Sequence, residues 1–229
     1  MNWDDVGFLL SKYKYNENSL IVEIFTKEHG KVSGIIFGGT SKKIRNYLQI
    51  GNKLYTSFTT KSENKIGYFK VEIFKAFSPI YFDNAKKLNC INSVMNLLKI
   101  LTADSQKNEN VYELIDNFYQ ILTDPIWIKR YIFWELDLLS ILGFKLDLEN
   151  MVIKETIDDK ILYVVKSSTE KKIVPNFLIE KNYNQETMKD LLNGLKLVGD
   201  FMNKTILKPN NMNFPVIRNQ FINSLKQLN

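Results

Sequence analysis

Apolar and polar positions alternate along the first third of the chain and then change to helical spacing. Residues 6–14 (VGFLLSKYK) and 19–27 (SLIVEIFTK) are β-branched and aromatic runs separated by the polar Tyr15–Asn18, which predicts a hairpin. Glu28–Gly30 makes the next turn, and 31–37 reads as a third strand that breaks at Gly38-Gly39. Residues 41–48 carry Ile44, Tyr47 and Leu48 at helical steps, so a short helix is expected there. Gly51 then leads into a fourth strand at 53–60. The turn Ser62–Asn64 leads to a fifth at 65–77, with Phe69, Val71 and Ile73 on one side and Lys70, Glu72 and Phe74 on the other.

Five strands with a helix between the third and fourth match the order of the OB-fold, a five-stranded Greek-key barrel. An SH3-like barrel or an open meander also has about five strands, and the inserted helix favours the OB-fold. The sequence therefore predicts an α+β chain. Residues 1–78 form the barrel, and 79–229 form a helical domain with a small β insertion at 146–180.

After Pro79 the period becomes helical. Leu88, Ile91, Met95, Leu98 and Leu101 stripe 83–103, and Val111, Leu114, Ile115, Phe118 and Leu122 stripe 109–122. A third helix over 125–142 has Asp124 as its expected N-cap, Pro125 at its first position and Gly143 as its stop. Leu162–Val165 reads as a strand that pairs with Lys171–Val174 across the turn Ser167–Glu170. A helical block at 185–206 has Met188, Leu191, Leu192, Leu195, Val198 and Met202 on one face. Pro209 interrupts it, and 214–228 forms a last short helix.

Charge is uneven. The chain has a net +6, with 12 Lys/Arg against 7 Asp/Glu over residues 1–78 but 7 against 10 over 79–150. The excess positive charge of the barrel suits an anionic partner. Part of the lysine content matches a general preference for Lys, Asn and Ile, as in the coding bias of an A/T-rich genome. One cysteine, Cys90, excludes an intrachain disulfide and fits a reducing cytosol. The first ten residues lack the layout of a signal peptide, and no apolar run reaches membrane-spanning length, so a cytoplasmic protein is expected.

Little in the sequence suggests an enzyme. His29 is the only imidazole, and its place in a turn beside Gly30 predicts a solvated residue. Gly38-Gly39-Thr-Ser-Lys42-Lys43 fails the phosphate-loop spacing, which needs Lys directly after the last Gly. Asp4-Asp5, Asp137 and Asp158-Asp159 sit mostly at segment ends, where solvated acids are the rule. We expect no cofactor, no metal and no catalysis.

A binding protein remains. Lys12, Lys14, Lys31, Lys42, Lys43, Arg45, Lys53 and Lys65 interleave with Tyr13, Tyr15, Tyr47, Tyr55, Phe58 and Tyr68. Cations neutralise phosphate and aromatic faces stack on bases. The plainer reading is a solvated lysine surface over an aromatic core. For Lys42, Lys43 and Arg45, clustered beside a glycine step, phosphate contact is favoured, with Lys12, Lys31 and Lys53 flanking. A basic adaptor for an acidic protein and a small hydrolase with an unrecognised site are the competing classes.

The order of motifs resembles the RecO family of bacterial recombination mediators. The N-terminal pattern is carried by Trp3, Asp5, Gly7 and Leu9 or Leu10, then Glu17 and Ser19, then Phe25, Thr26, Glu28 and Gly30. Gly38, Gly39, Ser41, Lys42 and Lys43 follow, then Leu48, Gln49 and Gly51. The helix Arg130–Gly143 (RYIFWELDLLSILG) is similar to the family's F-E-x-x-L-L-x-x-L-G segment, and the segments Gly194–Phe201, Pro209 and Phe214-Pro215 are similar to its alphaproteobacterial branch.

The resemblance implies an OB domain and a helical domain in DNA repair and recombination, with no membrane role. It implies binding of single- and double-stranded DNA, strand annealing, and help in placing RecA on strands coated by single-strand-binding protein. Partners would be RecR and the acidic C-terminal tail of that coating protein, and the location cytoplasmic and nucleoid-associated. Many members carry a four-cysteine zinc site after the F-E-x-x-L-L helix. Here Met151 stands near the first such position and 151–180 has no cysteine, so 146–180 is expected to be a metal-free remnant held by β pairing. The third helix offers Lys129 and Arg130 beside Trp127 as a dock for the tail's carboxylate.

Overall fold

The computed structural model describes residues 2–62, 65–157, 160–166, 171–180 and 183–227. The expected turns at Glu63-Asn64 and Ser167–Glu170, and the acidic pair Asp158-Asp159, lie outside the described residues. The chain divides into two compact units, Met1–Tyr119 with Pro215–Asn229, and Gln120–Phe214. The first reaches well past the expected barrel boundary at 78.

In the first unit, β1 (Asn2–Lys14), β2 (Ser19–Thr26), β3 (Gly30–Phe37), β4 (Lys53–Thr59) and β5 (Gly67–Lys75) close a barrel in the order β1-β2-β3-β5-β4. This is the OB arrangement expected from the sequence. β1 starts four residues earlier than the apolar run suggests, because Asn2–Phe8 pairs with β4 while Gly7–Lys14 pairs with β2. A bulge between Leu9 and Ser11 bends the strand so that it can serve both neighbours.

The closing seam is short. β3 and β5 pair in parallel at Gly34–Gly67 and Ile35–Tyr68. Two glycines meet there for a steric reason. A Cβ at Gly67 would stand 2.2 Å from the Phe58 ring, and one at Gly34 would stand 2.5 Å from the Phe69 ring.

The barrel interior holds Leu9, Val22, Ile24, Val32, Ile36, Leu54, Phe58, Phe69 and Val71. After β3, Gly38 turns the chain with φ +66°, and α1 (Lys42–Tyr47) follows. Leu48 is fully buried in the barrel core, and Ile44 and Tyr47 pack partly against it, so the expected helical stripe plugs the barrel end. α2 (Ala85–Leu101), most of α3 (Glu109–Ile121) and α7 (Val216–Lys226) complete this unit. α2 packs along α7 and against β1.

In the second unit, α4 spans Trp127–Ile141. It begins two residues later than predicted, with Ile126 as its N-cap. Asp124 instead accepts the Ile126 amide in a turn at 2.9 Å. A four-residue helix, α5 (Leu148–Met151), precedes the three-stranded sheet β6 (Val152–Ile157), β7 (Lys160–Lys166) and β8 (Lys171–Val174). The pairing of β7 with β8 is the one expected, whereas β6 is a strand the sequence reading missed. α6 (Met188–Met202) starts with a capping box, Thr187 with Asp190, and runs into a π-helical turn at Asn203–Leu207. Phe177 anchors this unit, buried against α6 where a Cβ at Gly194 would come 2.8 Å from its ring. No helix among the described residues is long and apolar enough to cross a membrane.

Candidate nucleic-acid interface

Three cations converge beside α1. A cleft of about 440 Å³ is lined by Lys12, Tyr13, Lys14, Leu20, Gly39, Thr40 and Arg45, with the single acid Glu17. Lys12 and Lys14 come from the end of β1, and Arg45 from the solvent side of α1. Lys42 and Lys43 are exposed on the same short helix. The Lys12 ammonium donates to the Leu48 carbonyl, which draws it toward the plugged barrel end. Burial, and then the neighbouring Arg45 guanidinium, hold the Lys12 pKa below the usual lysine value. Two cations held close together favour an anion between them.

The six cations predicted from sequence therefore do not share one face. Lys12 and Arg45 line one cleft, and Lys42 and Lys43 share Arg45's helix. Lys31 and Lys53 are used inside the fold. Lys31, only 8% exposed, donates to the carbonyls of Lys99 and Thr102 and pairs with Asp104 at 3.2 Å. Lys53, 7% exposed, lies 2.8 Å from Asp116 and over the rings of Phe8, Phe74 and Tyr112. A lysine on a barrel strand looks the same in sequence whether it meets solvent or a packed helix.

The structure also sorts the aromatics. Phe58 is core, Tyr47 leans on the core, and Tyr13 is exposed, with the Lys99 ammonium over its ring at 4.4 Å. Tyr15, Tyr55 and Tyr68 are exposed. Two further exposed rings, Phe37 and Phe74, complete pairs on the barrel exterior. Phe37 stacks on Tyr68 at 5.0 Å, and Phe74 meets Tyr55 edge-on at 4.7 Å. The period-two outward position of Phe74 was legible in the sequence, whereas Phe37 sits where an apolar run simply ended.

His29 departs from the solvated residue expected. Its ring lies 4.0 Å from Trp3 and nearly parallel to it, and Nδ1 stands 3.0 Å from Asp5 Oδ2. Asp5 also accepts the Glu28 and Val6 amides, so the acid at the chain start orients the turn.

In the second unit, Lys129 is buried, donates to the Tyr183 carbonyl and pairs with Glu186 at 3.2 Å. Arg130 is exposed and holds Asp124 at 3.0 Å. Trp127 is half-buried at the start of α4. Among the described residues no group of three or more His, Cys, Asp or Glu could hold a metal ion. Cys90 is buried in α2.

Comparison with known proteins gives this arrangement a family. The family described as Recombination protein O N terminal matches residues 1–77, and that described as Recombination protein O C terminal matches 83–186. A DNA repair protein RecO from Rickettsia canadensis is 28% identical over 92% of this chain and 91% of its own length. That of Hyphomonas neptunium is 30% identical over 88% of this chain and 89% of its own. Among solved structures, Entamoeba histolytica asparaginyl-tRNA synthetase aligns at a TM-score of 0.30 and 11% identity, over all of this chain and 64% of that one, a likeness too low to carry an argument. With its OB barrel, its two matched segments and near full-length similarity to these relatives, the chain belongs to the RecO family.

Proposed function

We propose that this protein is a DNA-binding recombination mediator in DNA repair. It anneals complementary single strands and helps load RecA onto strands coated by single-strand-binding protein, acting with RecR. The observation that carries the reading is the cleft of Lys12, Lys14 and Arg45 beside exposed Lys42 and Lys43, on an OB barrel of the RecO family. Phosphates track the cleft and α1, while the exposed pairs Phe37–Tyr68 and Tyr55–Phe74 offer ring faces to bases. Annealing needs no covalent chemistry. Screening the charge of two strands held together lets their bases search for complements, so no catalytic group is required.

The test is the salt dependence of binding to short single strands, with annealing of complementary strands followed in parallel. Counterion release makes log affinity fall linearly with log salt, by about 0.7 per phosphate neutralised on a single strand. A steep slope together with accelerated annealing is expected. An affinity indifferent to salt, or DNA binding with no acceleration of annealing, overturns the reading.

A further inference from the structure

The second unit holds a groove of about 540 Å³ that the DNA-binding reading leaves unused. One wall is α6 with the π-helical turn after it, which present Lys196, Leu197, Asp200, Phe201 and Lys204. The other wall is Lys172 and Ile173 of β8, with Leu146 and with Leu148 and Met151 of α5. We propose that this groove docks an amphipathic helix of a partner protein, apolar on one face and acidic along its flanks. Such a dock is independent of how the barrel meets DNA.

The shape calls for a helix. From Asn193 to Lys204 the lining residues of this wall recur at steps of three and four, so the groove follows α6 for about three turns, roughly 16 Å. A second helix laid along it sets apolar side chains at i, i+4 and i+7 against Leu197 and Phe201. An added strand has less to hold, because β8 is four residues long. The apolar floor is still open to a partner, with Met151 50% and Ile173 60% exposed.

The charge selects an acidic helix. Lys172, Lys196 and Lys204 line the groove against one carboxylate, that of Asp200. Asp200 is engaged by Lys172 at 3.3 Å, in an ion pair that joins α6 to β8. Among the described residues Lys196 and Lys204 are in no ion pair. They flank Leu197 and Phe201 and stand about two turns apart, so two carboxylates at that spacing on the incoming helix would meet both.

The cations also separate a helix from a chain end. The groove is lined by lysine and has no arginine, so it lacks the planar fork that reads a terminal carboxylate in two hydrogen bonds. Separate ammonium groups on flexible stems suit glutamate or aspartate side chains spaced along a helix.

The experiment titrates the full chain and two variants, Lys196→Glu/Lys204→Glu and Ile173→Asn, with an Ala-rich helical peptide of about 18 residues. One face of the peptide is leucine, its flanks are glutamate, and both ends are capped so that no terminal carboxylate remains. A second peptide carries lysine in place of glutamate. The three substituted residues are exposed, so both variants should melt close to the wild type. The wild type should bind the acidic peptide about 10-fold or more tighter than the basic one. Lys196→Glu/Lys204→Glu should weaken the acidic peptide about 10- to 30-fold, as two ion pairs become two repulsions, and should reverse the preference. Ile173→Asn should weaken it about 5-fold by removing apolar contact. DNA binding should stay at wild-type values in both variants. Equal affinity for the two peptides, or acidic-peptide binding that neither variant moves, overturns the dock. Loss of DNA binding in Lys196→Glu/Lys204→Glu overturns it too and assigns these lysines to DNA. Self-association of the free chain that Ile173→Asn abolishes would give the groove to a second copy instead. Tighter binding of the acidic peptide when its C-terminal carboxylate is left free would give it to a chain end.

Discussion

Lys31 Nζ donates to the Thr102 carbonyl at 2.6 Å, and to the Lys99 carbonyl at the same distance, from a site that is nearly closed to solvent. These are carbonyls at the C-terminal end of α2, where helical geometry leaves acceptors without partners and the helix dipole is negative. A barrel lysine thus caps a helix. Lys31→Ala should cost about 2–4 kcal/mol in urea unfolding, because two buried acceptors lose a charged donor. Its exposed partner Asp104 adds little. DNA affinity of the folded fraction and its salt slope should stay at wild-type values. A change in slope without loss of stability would put Lys31 back at the interface.

Lys42→Glu/Lys43→Glu/Arg45→Glu should behave in the opposite way. All three residues are exposed on α1 and none is part of its packed side. Exposed substitutions of this kind stay within about 0.5 kcal/mol each. The salt slope on single strands should flatten by up to about 2, from three lost phosphate contacts. Wild-type affinity and slope in the triple variant would reduce the cluster to a solvated surface.

Lys12 makes the cleft sensitive to pH. Its folded pKa lies below 10.5 because of burial first and Arg45 second. Between the lowered value and 10.5 the unfolded chain binds more protons at this position than the folded one, so this group's contribution to stability rises with pH across that window. Below the window its charged form is present in both states and its burial is a standing cost. A phosphate beside it restores the proton, so DNA binding should take up protons in the same window and weaken as pH rises through it. NMR titration of the Lys12 side chain should find it below the ordinary lysine value, shifted partway back in Arg45→Ala and raised by DNA. A Lys12 resonance titrating at the ordinary lysine value would remove this account.

The two cations at the start of α4 should separate. Lys129→Ala leaves Glu186 buried without its partner and should destabilise the protein by about 3 kcal/mol. Arg130 is exposed, tied by one ion pair to Asp124, and should tolerate alanine with little loss. The dock for the coating protein's acidic tail that the family resemblance implies at this helix would therefore rest on Arg130 with Trp127. Arg130→Ala should weaken the tail peptide about 5- to 10-fold and spare naked DNA. Unchanged peptide binding would place the dock elsewhere.

Chelation is expected to leave the melting temperature unchanged. β6, β7 and β8 pair with one another, and Val164, Val174 and Phe177 are buried in this unit. A structural zinc contributes folding free energy, so its removal would lower the melting temperature measurably. A drop with EDTA, or stoichiometric zinc by elemental analysis, would contradict the expectation.

Local pattern was sufficient for the barrel and the helices. Period-two alternation in Phe69–Phe74, the helical stripe Ile44–Leu48 and the break at Gly38 follow from side-chain direction and backbone sterics. These act over a few residues and are legible in sequence. β6 was missed because Val152–Ile157 mixes apolar and charged residues and is defined by its partner β7. The fates of the lysines were decided by tertiary packing. Lys12, Lys31 and Lys53 occupy similar strand contexts, yet one lines a cleft, one caps α2 and one pairs with Asp116 on α3. Trp3, Asp5 and His29 meet only because β1 and the β2–β3 turn come together. Strand and helix follow from nearest neighbours, but whether a charge is solvated or consumed depends on which distant element covers it, and chain closure alone determines that.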